Sequence, residues 1–348
     1  MYGNFLKLQY NVSLKDKNTL GIDSSAEKFI LFRDISDCNA LCDYYKAMQE
    51  NQTQEKFGAL GEGSNILLLN KHTQSVIVKM NNKGMAITGE DDKYIYAECQ
   101  AGELWRDFVV KCCESNYSGL ENLAAIYGTA GAAPVQNIGA YGAEVKDTVE
   151  KVVFLNLRTG KTESYTNSQC CFSYRNSVFK YQDGTKIILS VVFKLRKNFV
   201  FNGAYKPLRE AFSGTEYNDI VPMDVVKKVT QIRNSKLPDP KEYANAGSFF
   251  KNPYVSEEKY RELKAEYGDI SAFDEGDMKK ISAGWLIEKC GFKGKRTGNV
   301  GMHDRQALVL VNYGVESADE ITEYAQNVIA AVEDRFGISL VMEPNTIE

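Results

Sequence analysis

The sequence predicts a mixed helix-and-strand protein of two or three domains, without a Rossmann-type phosphate site. Three observations carry this. The chain has 348 residues, more than one ordinary hydrophobic core serves. Short apolar runs of strand character alternate irregularly with segments of helical spacing. The loop Gly61-Glu-Gly-Ser-Asn65 lies between two strand-like runs, the apolar segment before it and 66–69. A Rossmann phosphate loop instead joins a strand to a helix and uses that helix's N-terminus.

Residues 37–49 place Cys38, Leu41, Cys42, Tyr45 and Met48 at helical spacing, with Ser36 or Asp37 as the cap. The strand–loop–strand at 61–65 follows. It reads either as a nest of glycine amides aided by Ser64 and Asn65, or as a plain hairpin loop, since GxG alone is a weak signal. Residues 76–80 and 94–98 read as strands. A helix is expected over 103–115, with Leu104, Phe108, Val109 and Cys112 on one face. Strands resume at 152–157 and 187–195, and Asp183-Gly184 signals a hairpin turn. Around 197–222 the pattern breaks, with Pro207 and Pro222, and the best boundary falls here. A helix at 223–234 carries Val225, Val229 and Ile232 and ends at LPDP. Helix 278–290 stops at Gly291, and 307–311 is a buried strand. Ser317 and Glu320 form a capping box for a helix that runs to Phe336, with Gly337 as its C′ glycine. A closing strand is expected at 338–342.

The bulk numbers exclude several function classes. A net charge of −4 argues against binding driven by nucleic-acid phosphate. No apolar run approaches the roughly 18 residues of a spanning helix, and the N-terminal stretch has no secretory h-region. The eight cysteines read as reduced and mostly structural, because the chain is neither small nor visibly secreted. With two histidines, His72 and His303, no CxxC and no HxxxH, neither a metal site nor a Ser-His-Asp triad finds support.

The chemistry therefore needs another source, and the segment from Gly128 to Gly142, GTAGAAPVQNIGAYG, is the most unusual candidate. Small residues let backbone approach a ligand closely, and glycine permits the positive φ that turns amides inward. It reads as a wall around something flat and polar, or as a Gly/Ala-rich surface loop. A second unusual block is NAGSFFKNP at 245–253.

Ten collinear blocks span nearly the whole chain: NTLGI (18–22), LGEGSNILL (60–68), GLENLAAI (119–126), GTAGAAPVQNIGAYGAE (128–144), SYRNSVFK (173–180), KLPDPK (236–241), NAGSFFKNP (245–253), AGWLIEKCG (283–291), HDRQALVLVN (303–312) and MEP (342–344). Together they resemble the UDP-N-acetylenolpyruvoylglucosamine reductase (MurB) family, in its variant with a tyrosine-bearing loop. The resemblance implies an α+β fold: a flavin domain of the vanillyl-alcohol-oxidase/MurB type in two lobes, 1–70 (with a returning strand in 337–348) and 71–200. The FAD-binding part would span about 20–196, and a C-terminal α/β substrate domain 205–336.

It also implies the activity. NADPH reduces a non-covalent FAD, which then reduces UDP-N-acetylglucosamine enolpyruvate to UDP-N-acetylmuramate for peptidoglycan synthesis. The expected setting is a cytoplasmic monomer without nucleic-acid, membrane or metal partners. Residue by residue, Arg175 matches the catalytic arginine, Ser248 the proton donor and Glu343 the glutamate that assists at the enolate. Gly61, Gly63, Ser64 and Asn65 match the FAD diphosphate loop, with Gly128, Gly131, Gln136, Asn137, Gly139 and Tyr141 along the rest of the cofactor. Lys236 fits a substrate phosphate and Tyr181 the uracil, with Asn252 and Gln306 as further substrate contacts. The residue-level alternatives are a solvated arginine, a turn serine after Gly247 and an acid at a frayed terminus. One departure is Tyr127, which stands where the family usually has proline. Without that fixed φ the wall is looser, or the ring covers the flavin.

Two rivals stand beside this reading: a flavin-dependent alcohol oxidase of the same superfamily, and a nucleotide-sugar binding protein without turnover.

Overall fold

The structure, a computed structural model, describes residues 7–52, 55–181 and 184–348. Asp183 of the expected hairpin turn lies outside the described residues. The chain forms two compact units. The first comprises residues up to Val12, Ala26–Glu62 and Gln74–Ser235, and the second Ser13–Ser25, Gly63–Thr73 and Lys236–Glu348.

The first unit holds two sheets. One orders Leu8–Ser13, Ser25–Phe32, His72–Met80 and Phe57–Leu60 side by side, with Phe57–Leu60 parallel to its neighbour. The other orders Lys161–Thr166, Val149–Asn156, Lys186–Arg196, Tyr94–Gln100 and Met85–Glu90, antiparallel throughout. Lys186–Arg196 is its central strand and is buried almost end to end, which explains its near-continuous apolar sequence. One hydrophobic core runs from Ile30 through both sheets. Helix Trp105–Glu114 anchors it. Trp105 and Phe108 pack on Phe193 with ring centroids 5.6 and 4.9 Å away, and the Trp105 indole donates to Leu123 O at 2.9 Å. Burying each such ring contributes roughly 2–3 kcal/mol. Helix Pro222–Lys236, grouped with 205–336 in the sequence reading, places Val225, Val226 and Val229 in this same core.

The second unit holds a four-stranded sheet ordered Ala244–Ser248, Val309–Asn312, Val300–Met302, Arg296–Thr297. It also holds a three-stranded sheet of Tyr254–Ser256, Met278–Ile281 and Ala272–Glu275. Helix Ala318–Phe336 ends on Gly337 at φ +65°, as expected of a C′ glycine.

Several local expectations need correction. Met278–Ile281 is a strand and the helix is only Ala283–Lys289, because 278–281 pairs on both edges with 254–256 and 272–275. Residues 338–342 form no strand. The closing strand is Asn345–Ile347, paired in parallel with Ile66–Leu68. Ser317 caps through Asp319 N–H at 3.1 Å rather than through the expected box with Glu320. Neither Ser36 nor Asp37 caps helix Asp37–Glu50 through its side chain. Ser36 bonds Asp34, and the Asp37 carboxylate accepts from Arg33 N–H.

Candidate active site

In the first unit, Ser173 and Asn176 exchange both backbone hydrogen bonds at 3.1 Å. They close a tight turn that puts Arg175 at its third position with φ +51°. That left-handed conformation costs a side-chain-bearing residue about 1 kcal/mol and is more often given to glycine or asparagine. Here an arginine holds it, and such strain gathers at functional sites. The turn is tied to the Gly-rich wall. Asn137 donates to Ser173 O at 3.1 Å, Ser177 Oγ to Val135 O at 2.7 Å, and Arg175 Nη2 to Gly139 O at 2.9 Å.

The wall is rigid by construction. Asn137 is fully buried with φ +45°. Its amide also donates to Glu144 and its carbonyl accepts from Lys146 N–H, so its side chain braces the wall. Gly61, Gly131 and Gly139 need to be small for protein neighbours. A Cβ would come within 2.5 Å of Thr129 Oγ1, 2.5 Å of Ala101 Cβ and 3.0 Å of Arg175 Nη1, respectively. Gly128 is gripped on both sides. Its N–H donates to Glu62 at 2.6 Å and its carbonyl accepts from Trp105 N–H at 3.0 Å. Gln136 and Tyr141 are half-buried along the same segment. Tyr141 packs edge-on against Tyr205, and burial raises the phenol's pKa while Arg233 opposes the rise. Tyr181 is 74% exposed.

Arg233 is the residue that sequence reasoning missed. Its Nε donates to Ala125 O at 3.1 Å, and its guanidinium hydrogen-bonds Tyr141. Burial depresses its pKa, Tyr141 and Tyr127 oppose this, and the neighbouring charge of Arg175 adds to the depression. Arg175 and Arg233 are each hydrogen-bonded to backbone along the Gly-rich segment or just before it, and cations fixed in this way favour an anion. A signal was present. Val225, Val229 and Arg233 fall at i, i+4 and i+8, so a cation continues the helix's buried face.

In the second unit, Gly63 sits at φ +75°, where a Cβ would lie 2.0 Å from Lys17 O. Thr19 N–H donates to Gly63 O at 3.1 Å and Thr19 Oγ1 to Asn245 O at 2.7 Å. The hydroxyl-bearing segment 18–22, the loop residues Gly63, Ser64 and Asn65, and the NAGS block are thereby linked. Asn345 N–H donates to Asn65 O at 3.0 Å. Ser248 follows Gly247, which has φ +72°, and pairs with Val309 after a register shift. Glu343 is 7% exposed, and its N–H donates to Phe249 O at 2.9 Å. Ser248 and Glu343 thus belong to adjacent backbone segments, and the reading of Glu343 as a frayed terminal acid is excluded. Asn252 Oδ1 accepts from Ala283 N–H at 2.9 Å at the start of helix Ala283–Lys289. Gln306 Oε1 accepts from Leu308 N–H at 3.3 Å. Lys236 is exposed at the end of its helix. His303 is buried, which lowers its pKa and keeps the imidazole neutral at pH 7.

The first unit's residues fit a flavin. Asn122 Oδ1 and Asn176 Oδ1 are buried acceptors without a hydrogen-bond partner among the described residues. Asn122 bonds Tyr141 O through its other end, and Asn176 adjoins Arg175. Buried polar atoms are rarely left unpaired, and an N–H-bearing ring beside the wall would satisfy them. Among the described residues no helix is long and apolar enough to cross a membrane.

Residues 31–165 match the family model described as an FAD binding domain. Residues 239–347 match the C-terminal domain of UDP-N-acetylenolpyruvoylglucosamine reductase. The chain is 40% identical over 345 residues to the UDP-N-acetylenolpyruvoylglucosamine reductase of Flavobacterium johnsoniae, covering 98% of this chain and 100% of the relative. It is 42% identical over 340 residues to the enzyme of that name from Bdellovibrio bacteriovorus, covering 97% and 99%. Among solved structures, the reductase from Thermus caldophilus aligns over 99% of this chain and 100% of its own with a TM-score of 0.68 at 22% identity, a likeness of fold.

Proposed function

The chain belongs to the UDP-N-acetylenolpyruvoylglucosamine reductase family and is a flavin-dependent oxidoreductase, and from that premise we propose that it reduces UDP-N-acetylglucosamine enolpyruvate to UDP-N-acetylmuramate with NADPH, in the cytoplasm, for peptidoglycan synthesis. The observation that carries this reading is the pair Arg175 and Arg233 beside the Gly-rich wall. A substrate whose alkene bears a carboxylate needs fixed cations there.

FAD would be held by the loop Gly61–Asn65 and by the wall of Gly128, Gly131, Gln136, Gly139 and Tyr141, within residues 20–196, a reading supported by the match of residues 31–165 to an FAD binding domain. The segment 205–336 would hold the nucleotide sugar. When bound, FAD would supply the two-electron chemistry that links NADPH to the terminal carbon of the enolpyruvyl alkene, the position β to its carboxylate. Arg175 then binds the carboxylate through parallel N–H bonds and holds the enolate charge that hydride addition creates. Such a preorganised donor is typically worth about 3–4 kcal/mol of barrier. Ser248 Oγ gives its proton to the neighbouring carbon, and water returns one to the serine. The Glu343 carboxyl, buried beside the Ser248 strand, assists at the enolate when protonated or paired. Lys236 takes a phosphate, Tyr181 stacks on uracil, and Asn252 and Gln306 contribute amide contacts.

The test is direct. Purified protein mixed anaerobically with NADPH should bleach its flavin absorbance. Addition of the enolpyruvyl substrate should restore the absorbance and yield a product two mass units heavier. Flavin that NADPH leaves unbleached would overturn the proposal. Yellow colour that stays on the polypeptide after acid precipitation would contradict non-covalent FAD and favour the alcohol-oxidase rival.

A further inference from the structure

The loop Gly61–Asn65 carries an acid, Glu62, where a diphosphate is to be received, and three contacts explain how the acid is tolerated. Glu62 Oε2 accepts the Gly128 N–H at 2.6 Å. Both Glu62 oxygens accept from Arg106 Nη1, at 2.9 and 3.0 Å. The Arg106 guanidinium lies over the Tyr127 ring, 5.1 Å from its centroid. The acid and the base are mostly screened, with side chains 20% and 32% exposed. Arg106 starts from a fixed place, because its neighbour Trp105 is buried and bonded to Gly128 O. Tyr127 immediately precedes Gly128, which has φ +129°, and no proline ring fixes the φ of residue 127 itself.

We propose that Glu62, Arg106 and Tyr127 form a positioning clamp that fixes the cofactor loop to the Gly-rich wall, with Arg106 cancelling the Glu62 charge and the Tyr127 ring holding Arg106 in place. The clamp rests on the assignment of FAD to this loop. Its physical core is an asymmetry. With the arginine removed, a half-buried carboxylate is left facing an incoming dianion, and one uncompensated charge costs more than losing the pair. The Tyr127 face supplies a cation–π contact, so the ring holds the Arg106–Glu62 pair whose carboxylate grips the Gly128 N–H.

The experiment measures FAD affinity of the flavin-stripped full chain by quenching of flavin fluorescence, beside thermal melts of the same apo-proteins. R106M should raise the dissociation constant about tenfold, and R106K, which keeps the charge but loses the planar guanidinium over Tyr127, should fall between R106M and wild type. In E62Q/R106M the affinity should return to within about threefold of E62Q alone. Y127F should match wild type and Y127A should weaken binding several-fold, since the ring face holds Arg106. A double variant that shows the product of the two single effects would overturn the clamp, as would R106M with unchanged affinity. If R106M fails to fold, Y127A against Y127F decides alone, and equal affinities there overturn the proposal. Wild-type protein that takes up no FAD would overturn the clamp together with the reading beneath it. FAD bound normally by wild type and all variants alike would overturn the clamp only.

Discussion

At Arg175 the backbone and the side chain make opposite demands, and the two can be separated by substitution. Arg175→Ala keeps the left-handed φ and loses the bond to Gly139, whereas Arg175→Gly loses the bond but relieves the strain. Arg175→Gly should therefore be about 1 kcal/mol more stable than Arg175→Ala in urea melts, while both lose substrate-driven flavin reoxidation. Equal stabilities would mean that the turn stores no strain. Cysteines give a second residue-scale test. Burial pushes Cys38 up to about 11 and Cys112 and Cys170 up to about 12, and it raises Cys42, Cys99, Cys113 and Cys290 as well. Cys171 alone is exposed among the cysteines. A maleimide at neutral pH should label Cys171 first, and labelling of Cys112 at the same rate would contradict the packing. The sign of the pH dependence follows. Above the ordinary thiol pKa of about 8.5 the unfolded chain releases these protons while the native chain keeps them. Stability is thus fully present below that pH and falls as pH rises past it, which denaturant midpoints between pH 7 and 10 would register.

Among the elements, helix Ala318–Phe336 is the one most completely written in its own residues. Ser317 accepts from Asp319 N–H and Gly337 takes the left-handed C′ position. Ser317→Ala and Gly337→Ala should each cost about 1 kcal/mol. Because the caps lie about 28 Å apart along nineteen residues, the costs should add in the double variant. A clearly non-additive result would show that one end does not cap independently. Local signals of this kind made the strand–loop–strand at 61–65 and helices such as Asp37–Glu50 legible. Pairing between distant segments was not legible. Met278–Ile281 is lysine-rich and helix-compatible alone, yet two flanking strands fix it as extended. Asn345–Ile347 becomes a strand only through Ile66–Leu68, far away along the chain. The site divides in the same way. Arg175, Ser248 and Glu343 were marked by motifs, whereas Glu62, Arg106 and Arg233 acquire meaning only from the neighbours that folding brings to them.

For the molecule as a whole, cofactor binding is coupled to stability. FAD held at a hundred times its dissociation constant should stabilise the native chain by about 2.7 kcal/mol, raising Tm by several degrees. A melt insensitive to FAD would contradict the assigned cofactor loop. The central claim concerns chemistry, that the chain's own hydroxyl completes a reduction which the flavin begins. Stopped-flow measurement of both half-reactions in Ser248→Ala tests it most directly. Flavin reduction by NADPH should stay within about twofold of wild type, while reoxidation by UDP-N-acetylglucosamine enolpyruvate should slow by about 10²–10⁴-fold, the range of general acid catalysis. Equal slowing of both half-reactions, or reoxidation at the wild-type rate, would contradict the account.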